Sequence, residues 1–363
     1  MKRRLFIKKA LLTSLAGITG VSTISAFPKP AISQNIKRWS MTTTWPKNFP
    51  GLGTGANMLA ETITKASGGR LEIKVFGAGE IVPAMDAINA VSSGTVEMGH
   101  GAPYYWKGKV PAAQFLACTP FGLNAQEQNA WLEFGGGQEL ADKIYADMNC
   151  KFFASGNTGV QMGGWYNKEI KTIEDYKGLK MRMPGLGGEV TKAAGATVVG
   201  LSGGEILPAM QSGAIDATEW NGPYNDLSFG LHKVAKHYYF PGWHEPGVII
   251  DSFINLDSWN ELDDDLQVII KSATQYANAR VLNEYTARNG SSLNKLKKEH
   301  NIKPKAFSPE MLSELHKLSK TVISDIAAQD GLSQKVFDSI QGFQTDAMEW
   351  SNISEKAFMI ARS

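Results

Sequence analysis

The chain of 363 residues is 43% hydrophobic and 10% aromatic, which supplies a large core and excludes a disordered, fibrous or collagen-like protein. Its length predicts about two domains. The formal charge is +2, but residues 1–33 hold six basic residues and no acidic one, so the remainder carries −4. A mildly acidic chain lacks the basic footprint of a nucleic-acid-binding protein, and no nucleic-acid partner is expected.

The first 33 residues have the pattern of an export signal. A basic segment, Lys2 to Lys8 (KRRLFIK), precedes an apolar run from Ala10 to Ile24. The paired arginines followed by Phe, an apolar residue and Lys resemble the twin-arginine signal, with a Sec signal as the alternative. We expect cleavage after Ser33, with Ala26 as a second site, and a periplasmic mature protein.

The elements that follow alternate between helix and strand, which is typical of an α/β protein with mostly parallel sheets. A helix over 59–66 ends at a Gly-Gly pair, and the alternating segment 70–76 predicts a half-buried strand. Further strands are predicted over 151–154, 179–183, 197–201 and 248–256. From Asp263 onward the pattern predicts long helices over 264–298, 310–329 and 333–357, suited to bracing two lobes or forming a dimer interface.

Two segments share a pattern that suggests an internal repeat. Pro83 begins a predicted helix that stops at Ser93-Gly94, and Pro208 leads to Ser212-Gly213. Each stop is followed by a strand that carries an acidic residue. Proline at a helix start and glycine at its end fit the usual capping preferences, so each segment is expected to belong to one lobe, with chance similarity as the alternative.

The sequence Gly200-Leu201-Ser202-Gly203-Gly204 matches the nucleophile elbow of α/β hydrolases. Ser202 followed three residues later by Glu205 also forms a capping box, in which both side chains satisfy free amides at a helix start. We favour the capping box. The histidines downstream lack triad context and zinc-ligand spacing, so structural or surface roles are expected for His232, His237 and His244.

Cys118 and Cys150 are too few for a disulfide scaffold or a thiolate metal site. In an oxidising compartment they could pair with each other. Two unpaired buried thiols are the alternative, and the sequence leaves both open.

The segment 156–166 is rich in glycine, amide and aromatic residues and carries no charge, a mixture that suits the wall of a ligand pocket. Shortly after it, Arg182 stands near the end of a short predicted strand. A guanidinium there can bind a carboxylate through two parallel hydrogen bonds. An ordinary loop and a solvated surface arginine are the alternatives.

Four strings together resemble the extracytoplasmic solute receptors of TRAP transporters, the DctP family, over essentially the whole mature chain. They are Phe76–Glu80, Gly156–Tyr166, Leu179–Gly185 and Ser212–Trp220. The strings around Gln161, Arg182 and Glu219-Trp220 are most similar to the 2-oxoacid-binding branch. The resemblance implies a periplasmic-binding-protein-like α/β fold with two lobes, an interlobe cleft and long C-terminal helices. We expect residues 34–158 and about 247–290 in lobe I, and 159–246 and about 291–363 in lobe II.

The resemblance also implies roles for individual residues. Arg182 is expected to pair with the ligand carboxylate, and a sodium or calcium ion to bridge protein and ligand. The expected cation ligands are the Gln161 side-chain oxygen, the Glu219 carboxylate and the Trp220 carbonyl. Further cleft residues are expected at Glu245, as a carboxylate, and at Tyr105, Trp243 and Phe253, as apolar walls, with core packing as the alternative for all four.

The leading hypothesis is therefore a receptor, not an enzyme, that captures pyruvate or a longer 2-oxo monocarboxylate for the membrane subunits of a TRAP transporter. A calcium-using receptor for lactate or another 2-hydroxyacid is the first alternative. An exported serine hydrolase built on Ser202 is the second, and a structural dimeric partner resting on the helical tail is the third. By resemblance, a homodimer through the C-terminal helices is expected.

Overall fold

The computed structural model describes residues 36–363, so the predicted export signal and its cleavage site lie outside the described residues. Within this part of the chain, no helix has both the length and the apolar character needed to cross a membrane. The strands are β1 (Lys37–Thr43), β2 (Leu71–Phe76), β3 (Met98–Gly101), β4 (Cys150–Asn157), β5 (Gly164–Tyr166), β6 (Lys180–Arg182), β7 (Thr197–Val199), β8 (Ala217–Thr218), β9 (His237–Phe240), β10 (Ile249–Asn255) and β11 (Lys305–Ala306).

The helices connect these strands and then form the C-terminal part of the chain. They are α1 (Leu52–Ala66), α2 (Ala87–Ser92), α3 (Ala113–Ala117), α4 (Ala125–Phe134), α5 (Gly137–Ala146), α6 (Gly185–Ala193), α7 (Gly203–Ser212), α8 (Pro223–Phe229), α9 (Leu256–Asn260), α10 (Asp264–Glu299), α11 (Pro309–Ala327), α12 (Gly331–Ile353) and α13 (Glu355–Ala361). The α/β class and the long C-terminal helices predicted from the sequence are both present.

The strands form two separate sheets, the first in the order β2-β1-β3-β10-β4 and the second in the order β11-β9-β5-β8-β6-β7. The chain crosses from the first to the second between β4 and β5, and returns between β9 and β10. Strands β5 and β10 are each the first strand after the chain crosses from one sheet to the other, and each runs antiparallel to both of its neighbours. In contrast, β1 is parallel to β2 and β3, and β6 is parallel to β7 and β8. Both sheets are therefore mixed, because β5 and β10 each start at the edge where the other strands of their sheet end.

This topology gathers the loops that join the sheets at one edge. The carboxyl ends of β3, β4, β6, β8 and β9 all point toward it, since only β5 and β10 run the other way. In α/β sheets the crevice outside the carboxyl ends of the strands is where ligands bind. Residues immediately after these five strands are therefore the first candidates for a site.

Helix α10 and helix α11 link the packing around the two sheets. Along α10, Ala277 belongs to the core against the first sheet, while Tyr285 belongs to a second core that includes Trp165 and Tyr238 of the second sheet. In α11, Leu315 packs with the second sheet, and Ile323 packs with helices of the first. Each helix has its buried residues at helical spacing, so one continuous element contributes buried side chains to two cores.

The structure supports part of the predicted repeat. Gly94 and Gly213 both take the left-handed conformation, with φ of 73° and 72°, at the end of a helix. The acidic residues that follow make equivalent contacts. Glu97 accepts a hydrogen bond from the Ser40 amide (2.8 Å), and Asp216 accepts one from the Lys180 amide (3.0 Å). Each carboxylate thus ties the loop after a helix to a neighbouring strand.

Two expectations need correction or completion. Pro208 lies inside α7 rather than at its start, because α7 begins earlier, at the Ser202 cap. Cys118 and Cys150 are free thiols, buried in different cores of the described chain. Burial raises the pKa of both thiols, to about 12 for Cys150, so they are expected to be unreactive in the folded protein.

Candidate functional site

Arg182 is the last residue of β6 and is only 1% exposed. Its Nη1 donates to the Glu219 backbone carbonyl (3.0 Å) and to the Glu219 carboxylate, and its Nε donates to the Leu201 carbonyl (3.3 Å). Its Nη2 donates to the Tyr105 hydroxyl at 3.4 Å. Burial lowers the pKa of Arg182, but the negative charge of Glu219, together with Tyr105, Tyr104 and Glu245, outweighs this and raises the pKa above its ordinary value, so the guanidinium stays charged.

Glu219 follows β8 directly, and the pairing of Thr218 with Arg182 places it beside the guanidinium. Its side chain is fully buried. The second carboxylate oxygen lies 3.4 Å from Nε2 of His244, which is also fully buried. Glu219 is therefore held between a cation and an imidazole, in an environment where an unpaired charge would be costly.

Gln161 enters the site from the segment after β4 and is 4% exposed. Its backbone passes close to a turn at Gly242, where an added Cβ would stand 2.4 Å from the Gln161 carbonyl oxygen, so only glycine permits this approach. The turn is closed by two backbone hydrogen bonds, from the Gly242 amide to the Gln161 carbonyl (2.9 Å) and from the Gln161 amide to the Glu245 carbonyl (3.2 Å). Its side-chain Oε1 is buried and accepts no hydrogen bond from any residue in 36–363.

Glu245 lies in the same turn and is 1% exposed. Its Oε2 is buried without a hydrogen-bond partner in the described part of the chain. Burial, reinforced by the nearby negative charge of Glu219, raises the pKa of Glu245 well above its ordinary value. The site thus contains one paired carboxylate and one that favours its neutral form unless a cation is added.

Two aromatic residues complete the surroundings of Arg182. The Trp220 ring centroid lies 5.2 Å from the guanidinium carbon, within cation–π range. Tyr105 comes from the loop after β3 and packs near Trp45, with ring centroids 6.2 Å apart. Because Tyr105 follows a strand of the first sheet and Arg182 ends a strand of the second, their contact joins the two sheets across the site.

Phe253 lies apart from this group, whereas Trp243 borders it at His244, with 5.5 Å between the ring centroids. The Phe253 ring packs against Trp106 (5.2 Å between centroids) in the core of the first sheet, and Trp243 stacks on Phe121 at 5.8 Å in the core of the second. Core packing, the alternative stated for both residues, is the role that the structure supports. The expectation that they form apolar walls around a ligand gains no support from their contacts.

His244 is a member of the site that the sequence reasoning missed. Ligand atoms of Glu219, His244 and Glu245 all lie within 4.8 Å of one another. The spacing of the histidines gave no zinc motif and led to the expectation of a structural or surface role for His244. The one sequence signal that could have identified it is its place beside Glu245 in the string Trp243-His244-Glu245-Pro246, two polar residues between bulky ones.

Ser202 takes the capping role. Its backbone amide donates to the Glu205 carboxylate (2.9 Å), and its hydroxyl donates to the same oxygen (2.6 Å) at the start of α7. The hydroxyl is thus bonded to an acid rather than to a histidine base. A serine nucleophile needs the opposite arrangement, so the hydrolase alternative loses its structural basis.

The donor atoms at this site fit a hard cation. Gln161 Oε1 and Glu245 Oε2 are buried oxygens with no partner among the described residues, and the Glu219 carboxylate is nearby. Oxygen donors are those preferred by sodium, calcium and magnesium. A buried arginine beside such oxygens can bind an anion and a cation together. This arrangement, at the strand ends where two mixed sheets meet, defines an α/β protein that encloses a small charged solute.

Comparison with known proteins identifies the family. Residues 41–330 match the model of the bacterial extracellular solute-binding proteins, family 7 (DctP), and the chain belongs to this family. The monocarboxylate 2-oxoacid-binding periplasmic protein of Nostoc sp. is 43% identical over 362 residues, covering 99% of this chain and 98% of the relative. Family members are solute-binding proteins, which confirms the prediction that the chain is not an enzyme.

Two solved structures are similar over most of the chain. A TRAP periplasmic solute-binding protein from Pseudoalteromonas atlantica, with bound sodium and pyruvate, is 37% identical with a TM-score of 0.87, covering 89% of this chain and 98% of that one. A TRAP solute-binding protein from Bordetella bronchiseptica, a mixed-occupancy dimer with calcium and picolinate, is 36% identical with a TM-score of 0.88, covering 90% and 97%. These similarities confirm the predicted two-lobed fold.

Proposed function

We propose that this protein is a periplasmic receptor that binds pyruvate or a longer 2-oxo monocarboxylate together with a sodium or calcium ion. The observation that carries the proposal is the buried pair of Arg182 and Glu219 beside two buried oxygens, Gln161 Oε1 and Glu245 Oε2. Neither oxygen has a hydrogen-bond partner among residues 36–363. The Arg182 guanidinium can bind an anionic ligand, and the free oxygens can bind a cation. The name of the Nostoc relative supports a 2-oxoacid ligand, and the Pseudoalteromonas structure, with bound sodium and pyruvate, supports the acid and the cation together.

In this proposal, each residue acts through one type of contact. The Arg182 guanidinium binds the ligand carboxylate. The cation takes oxygens from the Gln161 side chain, the Glu219 carboxylate and the Trp220 carbonyl, and the ligand adds a carboxylate and a 2-oxo oxygen. Glu245 and Tyr105 complete the enclosure. A monoanion and a sodium ion together add no net charge, which favours their joint burial in a site with few free charges.

A thermal-shift screen tests the proposal. The purified chain from residue 34 is heated with pyruvate, longer 2-oxoacids, lactate and acetate, each in sodium, calcium or choline salts. A 2-oxoacid is expected to raise the melting temperature only when sodium or calcium is present, because a ligand that binds the folded state stabilises it by mass action. Acetate, which lacks the second oxygen, is the matched control ligand. If no 2-oxoacid shifts the melting temperature with either ion, the proposal is wrong.

The same screen separates the first alternative, a calcium-using receptor for lactate or another 2-hydroxyacid. That alternative predicts a larger shift with lactate than with pyruvate, and only in calcium. Ser202→Ala is the control variant, because its hydroxyl is bonded to Glu205 at an exposed helix start. It is expected to bind as the wild type does.

We propose the lobe boundaries, the route of export and the membrane partner along with this function. The two sheets agree with a first lobe built from 34–158 and about 247–290 and a second built from 159–246 and about 291–363, with α11 and α12 also contacting the first. The pattern of residues 2–8 favours export by the twin-arginine route to the periplasm. The receptor would deliver its ligand to the membrane subunits of a TRAP transporter.

We also propose a homodimer through the C-terminal helices. The end of α12 and all of α13 expose large apolar side chains, among them Trp350 (63% exposed), Ile353 (75%), Phe358 (61%) and Ile360 (68%). Several large exposed apolar side chains within one short segment are typical of a protein interface. Light scattering after size exclusion should give a dimer for the chain 34–363 and a monomer for 34–347. A wild-type monomer at micromolar concentration would contradict this.

A further inference from the structure

The side-chain amide of Gln161 is held in its orientation by two hydrogen-bond acceptors. Its Nε2 donates to Thr158 Oγ1 (3.1 Å) and to Asn221 Oδ1 (3.1 Å). The Thr158 hydroxyl proton is already directed to the Gly159 carbonyl (3.0 Å), so Thr158 can only accept here. A flipped amide would place Oε1 against two acceptors. The observed orientation leaves Oε1 free to face a cation.

Asn221 is oriented in turn by a second amide. Its Nδ2 donates to Asn225 Oδ1 at 2.6 Å. Asn225 Oδ1 also accepts from the Tyr285 hydroxyl (2.7 Å), and Asn225 Nδ2 donates to the Pro50 carbonyl (2.9 Å). Because a backbone carbonyl can only accept, it fixes which end of Asn225 faces Asn221. That choice fixes Asn221, and Asn221 fixes Gln161.

We call this series, Pro50–Asn225–Asn221–Gln161 with Tyr285 at its side, the amide relay. All three of its amides are buried, with Asn225 at 0%, Asn221 at 7% and Gln161 at 4% exposed. Water therefore offers little competition for their hydrogen bonds, and a polar group left without a partner there would be costly. The relay runs from the loop before α1, through α8 and past α10, to the end of β4.

We propose that Asn221 and Asn225 are positioning residues that set the cation affinity of the receptor by keeping Gln161 Oε1 turned toward the ion. This inference rests on the proposed function, in which Gln161 is a cation ligand. An amide that turned its NH2 group toward the ion would repel it. Loss of the relay should therefore weaken cation binding and leave the contact between Arg182 and the ligand carboxylate in place.

Asn221→Ala removes the acceptor that holds Gln161. Its backbone stays fixed by other bonds, since the Asn221 carbonyl accepts from the Met162 amide at 2.9 Å. At saturating pyruvate, the sodium or calcium concentration for half-maximal binding should rise by about 10–100-fold, the usual effect of removing a group that orients a metal ligand. At saturating cation, the pyruvate dissociation constant should return close to the wild-type value.

The matched control is Asn278→Ala. It removes another amide-to-amide hydrogen bond, from Asn278 to Asn129 (2.8 Å), on the same helix as Tyr285 but outside the relay. Its cation dependence should equal that of the wild type. If Asn221→Ala does not fold, Tyr285→Phe, which deletes one hydroxyl, should shift the cation dependence in the same direction by a smaller factor.

A second pair of variants separates positioning from a merely structural role. Glutamate at position 161 presents an oxygen in either orientation. In a Gln161→Glu background, Asn221→Ala should therefore no longer weaken cation binding. An equal loss in both backgrounds would overturn the inference, as would a cation requirement for Asn221→Ala within twofold of a cation-dependent wild type. A wild type that binds no 2-oxoacid would instead overturn the proposed function, and this inference with it.

Discussion

Replacing Arg182 by methionine should cost the protein both its ligand and a large part of its stability. The side chain makes four hydrogen bonds, two of them to Glu219, and its charge is the direct partner of that carboxylate. Removing one member of a buried ion pair typically costs about 3–5 kcal/mol, because the remaining charge stays buried. That is a third or more of the free energy of unfolding of many domains, so loss of binding in the single variant could reflect loss of the fold.

A double variant, Arg182→Met with Glu219→Gln, separates the two effects. Removing both charges should recover most of the lost stability, since no unpaired charge remains, while pyruvate binding stays absent. Urea unfolding followed by tryptophan fluorescence gives the stability, and calorimetric titration with pyruvate and sodium gives the binding. A single variant within about 1 kcal/mol of the wild type, or a double variant no more stable than the single, would refute the stability reasoning. Pyruvate binding by either variant would refute the role of Arg182.

Three further outcomes are expected. Burial raises the pKa of Asp226 to about 7, so its folded state binds a proton that the unfolded state releases near pH 4, and stability falls as pH rises. Between pH 5 and 8 the wild type should lose about 2–3 kcal/mol more than Asp226→Asn in parallel urea titrations, and equal losses would contradict the shift. Lys107 and Glu189 form an ion pair at 2.7 Å but are 40% and 34% exposed, so Lys107→Ala should change the unfolding free energy by less than about 1 kcal/mol. A larger change, or one insensitive to ionic strength, would show that the pair is not screened. Without reductant, the denatured protein should give two titratable thiols and the native protein none, whereas a single disulfide would leave none after denaturation.

The sequence predicted most directly the features whose surroundings are local. The capping box at Ser202 and Glu205 could be read from four consecutive residues, and the structure confirms its hydrogen bonds. The strand over 71–76 was visible as alternation. Arg182 and Glu219 stood in strings long enough to resemble a family, although their direct contact, 37 residues apart, could not be derived from composition or spacing.

What the sequence could not provide is the set of partners that each polar residue meets across the fold. Nothing in the sequence around Asn221, just before α8, or Asn225, within α8, marks these amides, and their importance appears only when Gln161 and Pro50 come within hydrogen-bond distance. Phe253 was expected as an apolar wall of the site from the family resemblance, whereas its ring packs against Trp106 in the core of the first sheet. Long-range pairing decides such cases, and a single sequence does not encode it in any local pattern.

Helix α10 constrains the number of residues between the two cores that it joins. Its 36 residues extend about 54 Å, and its buried face passes from Ala277 in one core to Tyr285 in the other. One residue inserted between them would rotate everything beyond by about 100°, carrying the Tyr285 hydroxyl away from Asn225. Substitutions on the solvent side leave this phase intact. Over evolution, length changes in this protein should therefore collect in its surface loops and avoid the middle of α10, however freely its exposed side chains vary.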